Sequence, residues 1–474
     1  MEGTRQPNCR QRRAAAAIAR PDLSQVSTMT WLSTSTWFPV ALALTTLAGC
    51  RGEDLTFDCE NQAMAFIERE DAEAPPLVAP IPEDGPVPVT VSLTEEGVNR
   101  LLKAAILDND TPFSGDIPIV TANAKFEPEG DPTIEFASVN GCPSCVLFNV
   151  DFAIELSNAG DPVSSGVGNV QLAIPLFLES DEATGTTRLF ADYSKTTIED
   201  MYLQVFGFDS EEHTSLAGAL EILLQERIQE NFMPIELLSI GSWAIGNGDV
   251  RLLAKDVVVY PEQDKLVLAM RTNLELSTNA HLDLRAPHPD GAPMAVTMHP
   301  ELFLAMSHRM LAEGQIPRRY NENGAADEKG AYAVTLNTMV GNAAGLERLD
   351  SRFRVWRIAE GYCGWAEADM PLLLAVDDAR KGFTVTPGDA ALVPGDEDCE
   401  GAGCVAKEEE EIVEQNQALI STFKDSLAEQ VGQTINYDAI DLEGNTIVFG
   451  VIDLEVTPDA INNYLDFVVV QTAE

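Results

Sequence analysis

Residues 89–106, VTVSLTEEGVNRLLKAAI, and residues 294–314, MAVTMHPELFLAMSHRMLAEG, share one construction. Each opens with a short alternating strand, passes a helix start and continues as an amphipathic helix. Thr94 and the pair His299-Pro300 stand where an N-cap and a first-turn proline belong. A strand–cap–helix unit met twice raises the question whether the whole chain is built twice.

Three further matches follow in the same order. NGCPSCVLFNVDFAIEL (140–156) parallels EGYCGWAEADMPLLLAV (360–376), each a glycine–cysteine turn leading into an alternating strand. SLAGALEILLQERIQENF (215–232) parallels EIVEQNQALISTFKDSLAEQVG (411–432) as a long helix. A long hairpin then closes each copy, residues 245–276 and 442–470, with Pro261 and Pro458 at corresponding turns. Four matches in one order predict a repeat of roughly 200 residues, with the first copy over 89–285 and the second over 286–474.

The local patterns fix the class. In the second long helix Ile412, Leu419, Phe423, Leu427 and Val431 recur at helical steps behind the acidic start Glu408 to Glu411; Leu216, Leu220, Leu223 and Ile228 do so in the first. Val150, Phe152, Ile154 and Leu156 alternate with Asp151, Ala153 and Glu155, which gives one buried and one wet face, as in antiparallel sheets. The expected fold is α+β: two pseudo-repeated domains, each a highly curved antiparallel β-sheet wrapped around a long amphipathic helix.

Ahead of the body, Trp37 to Gly49 is an apolar run too short for the roughly 18–20 residues of a membrane-spanning helix. It has the size of a secretory h-region, with Arg5, Arg10, Arg12, Arg13 and Arg20 upstream. Leu47-Ala48-Gly49-Cys50 resembles the bacterial lipobox, which implies cleavage before Cys50 and acylation of that cysteine. The reading is a signal peptide over 1–49 and a lipidated N-terminus over 50–88. Acyl chains on Cys50 would then hold the protein at a membrane, in the bacterial cell envelope, at the outer membrane facing the periplasm or the surface. The six prolines of 73–88 read as an extended linker.

The net charge of −46 over 474 residues excludes nucleic acid as a partner and disfavours anionic head groups. It suits solubility in a salty medium. Beyond Cys9 and Cys50, six cysteines remain, which allow 15 pairings in an exported chain. Cys142 with Cys145, and Cys399 with Cys404, can each close locally, which would leave Cys59 for Cys363. A redox CxxC needs a helix N-terminus for its first thiolate; a strand follows CPSC, so a structural disulfide is expected.

No catalytic constellation emerges, and the chain reads as a non-enzyme needing no cofactor. The histidines (213, 281, 288, 299, 308) form no zinc spacing; His299 reads as a helix-start residue and His308 as a helix-surface one. Asp108-Asn109-Asp110 with Asp116 lacks the EF-hand glycine, since Phe113 holds its place. That stretch and the acidic 395–404 loop read as solvated. Arg318-Arg319 and the four arginines of 348–357 stand out in an acidic chain. Arg352, Arg354 and Trp356 would share a strand face and permit cation–π stacking, either to hold an anionic head group or to neutralise neighbouring carboxylates.

The duplicated order of helix, strands, long helix and long hairpin, with openings such as VTMHPELFLAMSHRMLAEG, resembles the two-domain tubular lipid-binding superfamily, the bactericidal/permeability-increasing-protein-like group. The resemblance implies a lipid or other hydrophobic ligand in an apolar groove between helix and sheet. Its candidate liners are Leu101, Ile106, Leu220, Leu224, Phe303, Met306, Met310, Leu419 and Phe423. The acidic charge departs from cationic endotoxin-binding members, so neutral lipid or phospholipid is the expected cargo. The alternative is a non-catalytic adhesion or scaffold lipoprotein with a fully packed core, and either could engage an envelope protein partner.

Overall fold

The computed structural model describes residues 64–471 apart from 66, 69–70, 72–73, 107–114, 120–121, 159–160, 184–185, 232, 241–249, 289–290, 360–361, 378–381, 394–416, 434–439 and 443–444. In chain order the first half comprises β1 (Val89–Thr94), α1 (Glu95–Ile106), β2 (Gly115–Ile119), β3 (Ala122–Pro128), β4 (Thr133–Glu135), β5 (Cys145–Asn158), β6 (Asp161–Asp181), β7 (Thr186–Ala191), β8 (Thr197–Val205), α2 (Ser210–Asn231), β9 (Ile235–Ile240), β10 (Leu252–Tyr260) and β11 (Lys265–Thr272). The second comprises β12 (Met294–Met298), α3 (Pro300–Ala312), β13 (Arg319–Tyr320), β14 (Tyr332–Gly341), β15 (Arg348–Ala359), β16 (Tyr362–Asp377), β17 (Gly382–Pro387), β18 (Ala391–Leu392), α4 (Gln417–Gln433), β19 (Ile440–Leu442), β20 (Asn445–Thr457) and β21 (Ala460–Gln471).

Among the described residues these strands form three antiparallel sheets. Two are curled half-barrels, one per half: β2-β3-β5-β6-β7-β9, with β4 and β8 added, and β13-β14-β15-β16-β17, with β18 added. Register shifts inside the long pairings, such as that between Leu336 and Thr338, mark bulges that add to the bend. The third sheet is shared by both halves, in the order β10-β11-β1-β12-β21-β20-β19. Its centre is the β1–β12 pair, where Thr90 faces Thr297, Val91 faces Val296 and Ser92 faces Ala295. Each half therefore contributes an opening strand, an outer sheet, a long helix and a closing hairpin, which is the duplicated α+β order expected from the sequence.

The helix starts form as their sequences dictate. Thr94 Oγ1 accepts the Gly97 N–H at 3.0 Å, and His299 Nδ1 accepts the Glu301 N–H at 3.2 Å ahead of Pro300. His308 is a correction to the surface reading: it is buried, and its Nε2 lies 2.8 Å from the Leu336 carbonyl. Polarity alone placed it outside, but its turn of α3 faces β14, where that carbonyl accepts it.

The proline-rich stretch also differs from a free spacer. Val78 N–H donates to Asn273 O at 2.8 Å, Glu275 N–H donates to Pro76 O at 3.1 Å, and Ile81 and Val87 are buried. The prolines prevent regular structure, yet the apolar residues between them cover the body. Upstream, Ile67 packs against Trp356, and Asp71 pairs with Arg318 at 2.5 Å.

The two halves are packed unequally. On α4, Leu419, Ile420, Phe423, Leu427 and Ala428 are all buried, and Phe423 sits 5.5 Å from the Phe353 ring. On α2, among the described side chains, only Leu220 and Ile228 are buried, while Ile222 is exposed.

Asn463 interrupts the apolar face of the shared sheet near its centre. Asn463 is fully buried; its Nδ2 reaches Val296 O at 3.3 Å and its Oδ1 has no partner among the described residues. It opposes Val296 on β12 as Leu268 opposes Val91 on β1. Replacing it with the residue of the first repeat, Asn463→Leu, should raise unfolding stability by about 1–2 kcal/mol, because an unpaired buried acceptor is removed. Urea titration reads this as a higher midpoint with an unchanged slope.

Candidate functional site

An apolar slot lies between α1 and the sheets of the first half. Val98, Leu101 and Leu102 of α1 form one wall, and Leu93 and Leu266 come from the shared sheet. Ile134, Val146, Leu176, Leu189 and Leu237 supply the outer-sheet side. The void is about 30 Å3, room for roughly two water-sized groups. Its lining offers a water no side-chain partner, so the physics favours an apolar occupant.

The slot persists because α1 is fastened at its polar edge. Asn99 Nδ2 donates to Ile134 O at 2.8 Å, Asn99 Oδ1 accepts the Ile134 N–H at 2.6 Å, and Glu95 Oε2 accepts the Phe136 N–H at 3.0 Å. Farther along, Arg100 pairs with Asp466 at 2.8 Å and lies 4.5 Å from the Phe467 ring centroid. These contacts hold the helix along β4 and β21 and fix how far its leucines reach.

The expected groove residues fall into two groups. Leu101 lines the slot, and Ile106 is in α1 with its side chain outside the described residues. Leu220 is buried in the core, and Leu224 is half-buried against it. Phe303, Met306 and Met310 on α3 and Leu419 and Phe423 on α4 fill the second half. The strand residues Val146, Leu176 and Leu189 were missed. Their alternation showed burial, but not that they would face a void.

Cys142 and Cys145 form a disulfide with Cα atoms 5.4 Å apart, and β5 begins at Cys145, so no helix N-terminus activates a thiolate. Pro143 O accepts the Val259 N–H at 3.2 Å, which ties this loop to β10. Cys50, Cys59, Cys399 and Cys404 lie outside the described residues, as does the side chain of Cys363 on β16. So do 108–110 and 395–404.

The arginines meet carboxylates. Arg352 grips Asp369 through Nε at 2.7 Å and Nη2 at 3.0 Å, and Arg354 pairs with Glu367 at 2.5 Å. Arg354 also lies over Trp365 at 3.9 Å and Trp356 at 5.3 Å. That face neutralises acids within one sheet. Among the described residues no group of three or more His, Cys, Asp or Glu could hold a metal, and no helix is long and apolar enough to cross a membrane.

No family model matches the chain, and no curated protein matches it. Solved structures do resemble it. The crystal structure of lipopolysaccharide binding protein aligns over 82% of this chain and 100% of that one, at 11% identity and a TM-score of 0.35. The structure of P47 of Clostridium botulinum E1 aligns over 79% and 98%, at 12% identity and a TM-score of 0.43. Similarity at this level leaves the ligand to be argued from the chain's own side chains.

Proposed function

We propose that the protein is an exported lipoprotein, tethered through Cys50, that holds a slender apolar ligand such as an acyl chain in the first-half slot. The observation that carries the ligand reading is the slot itself, walled by ten aliphatic residues beneath a helix whose polar edge is clasped to β4 and β21. Each methylene that enters gains on the order of 0.8 kcal/mol of burial. The present void takes only a short segment, so a longer chain must spread α1 from the strands. The close packing around α4 favours the second reading, a scaffold with a filled core, for the second half.

Stripping the protein in organic solvent, identifying co-purifying lipid by mass spectrometry and then titrating a fluorescent fatty acid tests the ligand. One equivalent should bind, and Leu101→Trp, which fills the slot, should weaken uptake about tenfold or more, the equivalent of ~1.4 kcal/mol. Absence of both co-purifying lipid and uptake would leave the scaffold reading. Separately, Cys50→Ala should move the protein from the membrane to the soluble fraction; retention at the membrane would refute the tether.

A further inference from the structure

The alternation that points Leu93 and Leu266 into the slot points Ser92 and Lys265 out of the opposite face of the shared sheet. The connection between the halves arches over that face. At one end His281 Nδ1 accepts the Val87 N–H at 3.2 Å, and the Leu282 N–H donates to Val87 O at 3.0 Å. At the other, His288 meets Ser92 Oγ at 3.0 Å through Nδ1 and the Ala292 carbonyl at 2.7 Å through Nε2. Between these straps the connection stands off the strands and covers a partly open chamber of about 760 Å3, inside the size range of small-molecule sites.

Two groups on the chamber floor keep hydrogen-bonding capacity to spare. Thr90 is 7% exposed, and its hydroxyl meets no hydrogen-bonding group among the described residues. Lys265 is 4% exposed; its ammonium donates to Ala286 O, lies 5.7 Å from the Tyr260 ring centroid and meets no other oxygen or nitrogen acceptor among the described residues. An ammonium has three protons to place. Across the floor Glu455 accepts from Tyr464 Oη at 2.7 Å and from Asn462 Nδ2 at 3.3 Å, which fixes the carboxylate and leaves it further lone pairs.

This inventory selects a ligand class. Asp283, Glu455 and Asp459 outnumber the one lysine in the lining, so an anion is repelled. A cation would meet Lys265 on the floor. An apolar guest would strand the buried hydroxyl and ammonium. A neutral molecule with many hydroxyls can accept from Thr90 and Lys265 and donate to Glu455 at once.

We propose that this chamber binds a neutral polyhydroxylated ligand of mono- or disaccharide size, independently of the apolar slot on the other side of the sheet. The test is calorimetric titration of the full chain with maltose, N-acetylglucosamine and myo-inositol at millimolar concentration, with inorganic phosphate and spermidine as charged comparisons. At least one neutral compound should bind one-to-one. Thr90→Val and Lys265→Met should each weaken it about tenfold, while Ile222→Ala should leave it unchanged. Should Lys265→Met fail to fold, the near-isosteric Thr90→Val decides. Binding of none of the three, binding unaffected by Thr90→Val, or binding of phosphate or spermidine alone would overturn the assignment. Displacement of the sugar by a fatty acid would overturn it too, because the two sites lie on opposite faces.

Discussion

Phe423→Ala is expected to lower unfolding stability by about 3–5 kcal/mol, the range for deleting a buried aromatic ring. Phe423 is fully buried at the centre of the α4 face, with Leu419 and Leu427 one turn away on either side and the Phe353 ring at 5.5 Å. Its loss removes the transfer energy of the ring and leaves a cavity that a helix seated on β17 and α3 of the same core cannot readily close. The comparison variant Ile222→Ala alters an exposed position on α2 and should stay within about 0.5 kcal/mol of the parent. Urea titration of both measures the contrast. A double-mutant cycle with Phe353→Ala should return a coupling of roughly 0.5–1.5 kcal/mol for the ring pair. A loss below about 1 kcal/mol for Phe423→Ala would mean that α4 does not fill the second half, and that half would then regain its claim to a ligand.

Much of this was legible in the chain before folding. The period-two runs around Val150 and Phe152, the caps at Thr94 and His299 and the order of the paired segments together specify two α+β copies. Local rules suffice there, because capping and alternation depend on neighbours in sequence. What escaped depends on partners remote in the chain. Leu101 and Met306 occupy matching turns of matching helices, yet one borders a void and the other is packed. The difference lies in the facing strands and in the Asn99–Ile134 clasp that positions α1. The docking of the proline-rich residues 74–88 was hidden because prolines signal only the absence of regular structure, while Ile81 and Val87 acquire their burial from the body. The chamber was equally unreadable. Thr90 and Lys265 are ordinary polar positions of alternating strands until the connection folds back over them.

Gly341→Ala is expected to cost about 3 kcal/mol or more, at or beyond the upper end for overpacking a well-filled site. Gly341 closes β14 against the turn of the β20–β21 hairpin. A Cβ there would press into the Thr457 carbonyl oxygen and come within 2.8 Å of its carbon and 3.2 Å of the Pro458 Cα. A side chain could rotate out of the way; these are backbone atoms, held by the Thr457–Ala460 pairing at the end of the hairpin. Relief therefore requires the outer sheet of the second half to move off the shared sheet. Gly345 supplies the control four residues on, in the turn before β15. Its φ of +70° makes alanine strained, but nothing lies within 4 Å of the added methyl, so Gly345→Ala should cost only about 1–2 kcal/mol. The two substitutions separate conformational strain from steric exclusion within one stretch of chain. If Gly341→Ala proves no worse than Gly345→Ala, the second outer sheet is not seated on the hairpin turn. If it is far worse and amide exchange rises around Thr457, that contact is the joint by which the second half is locked to the sheet both halves share.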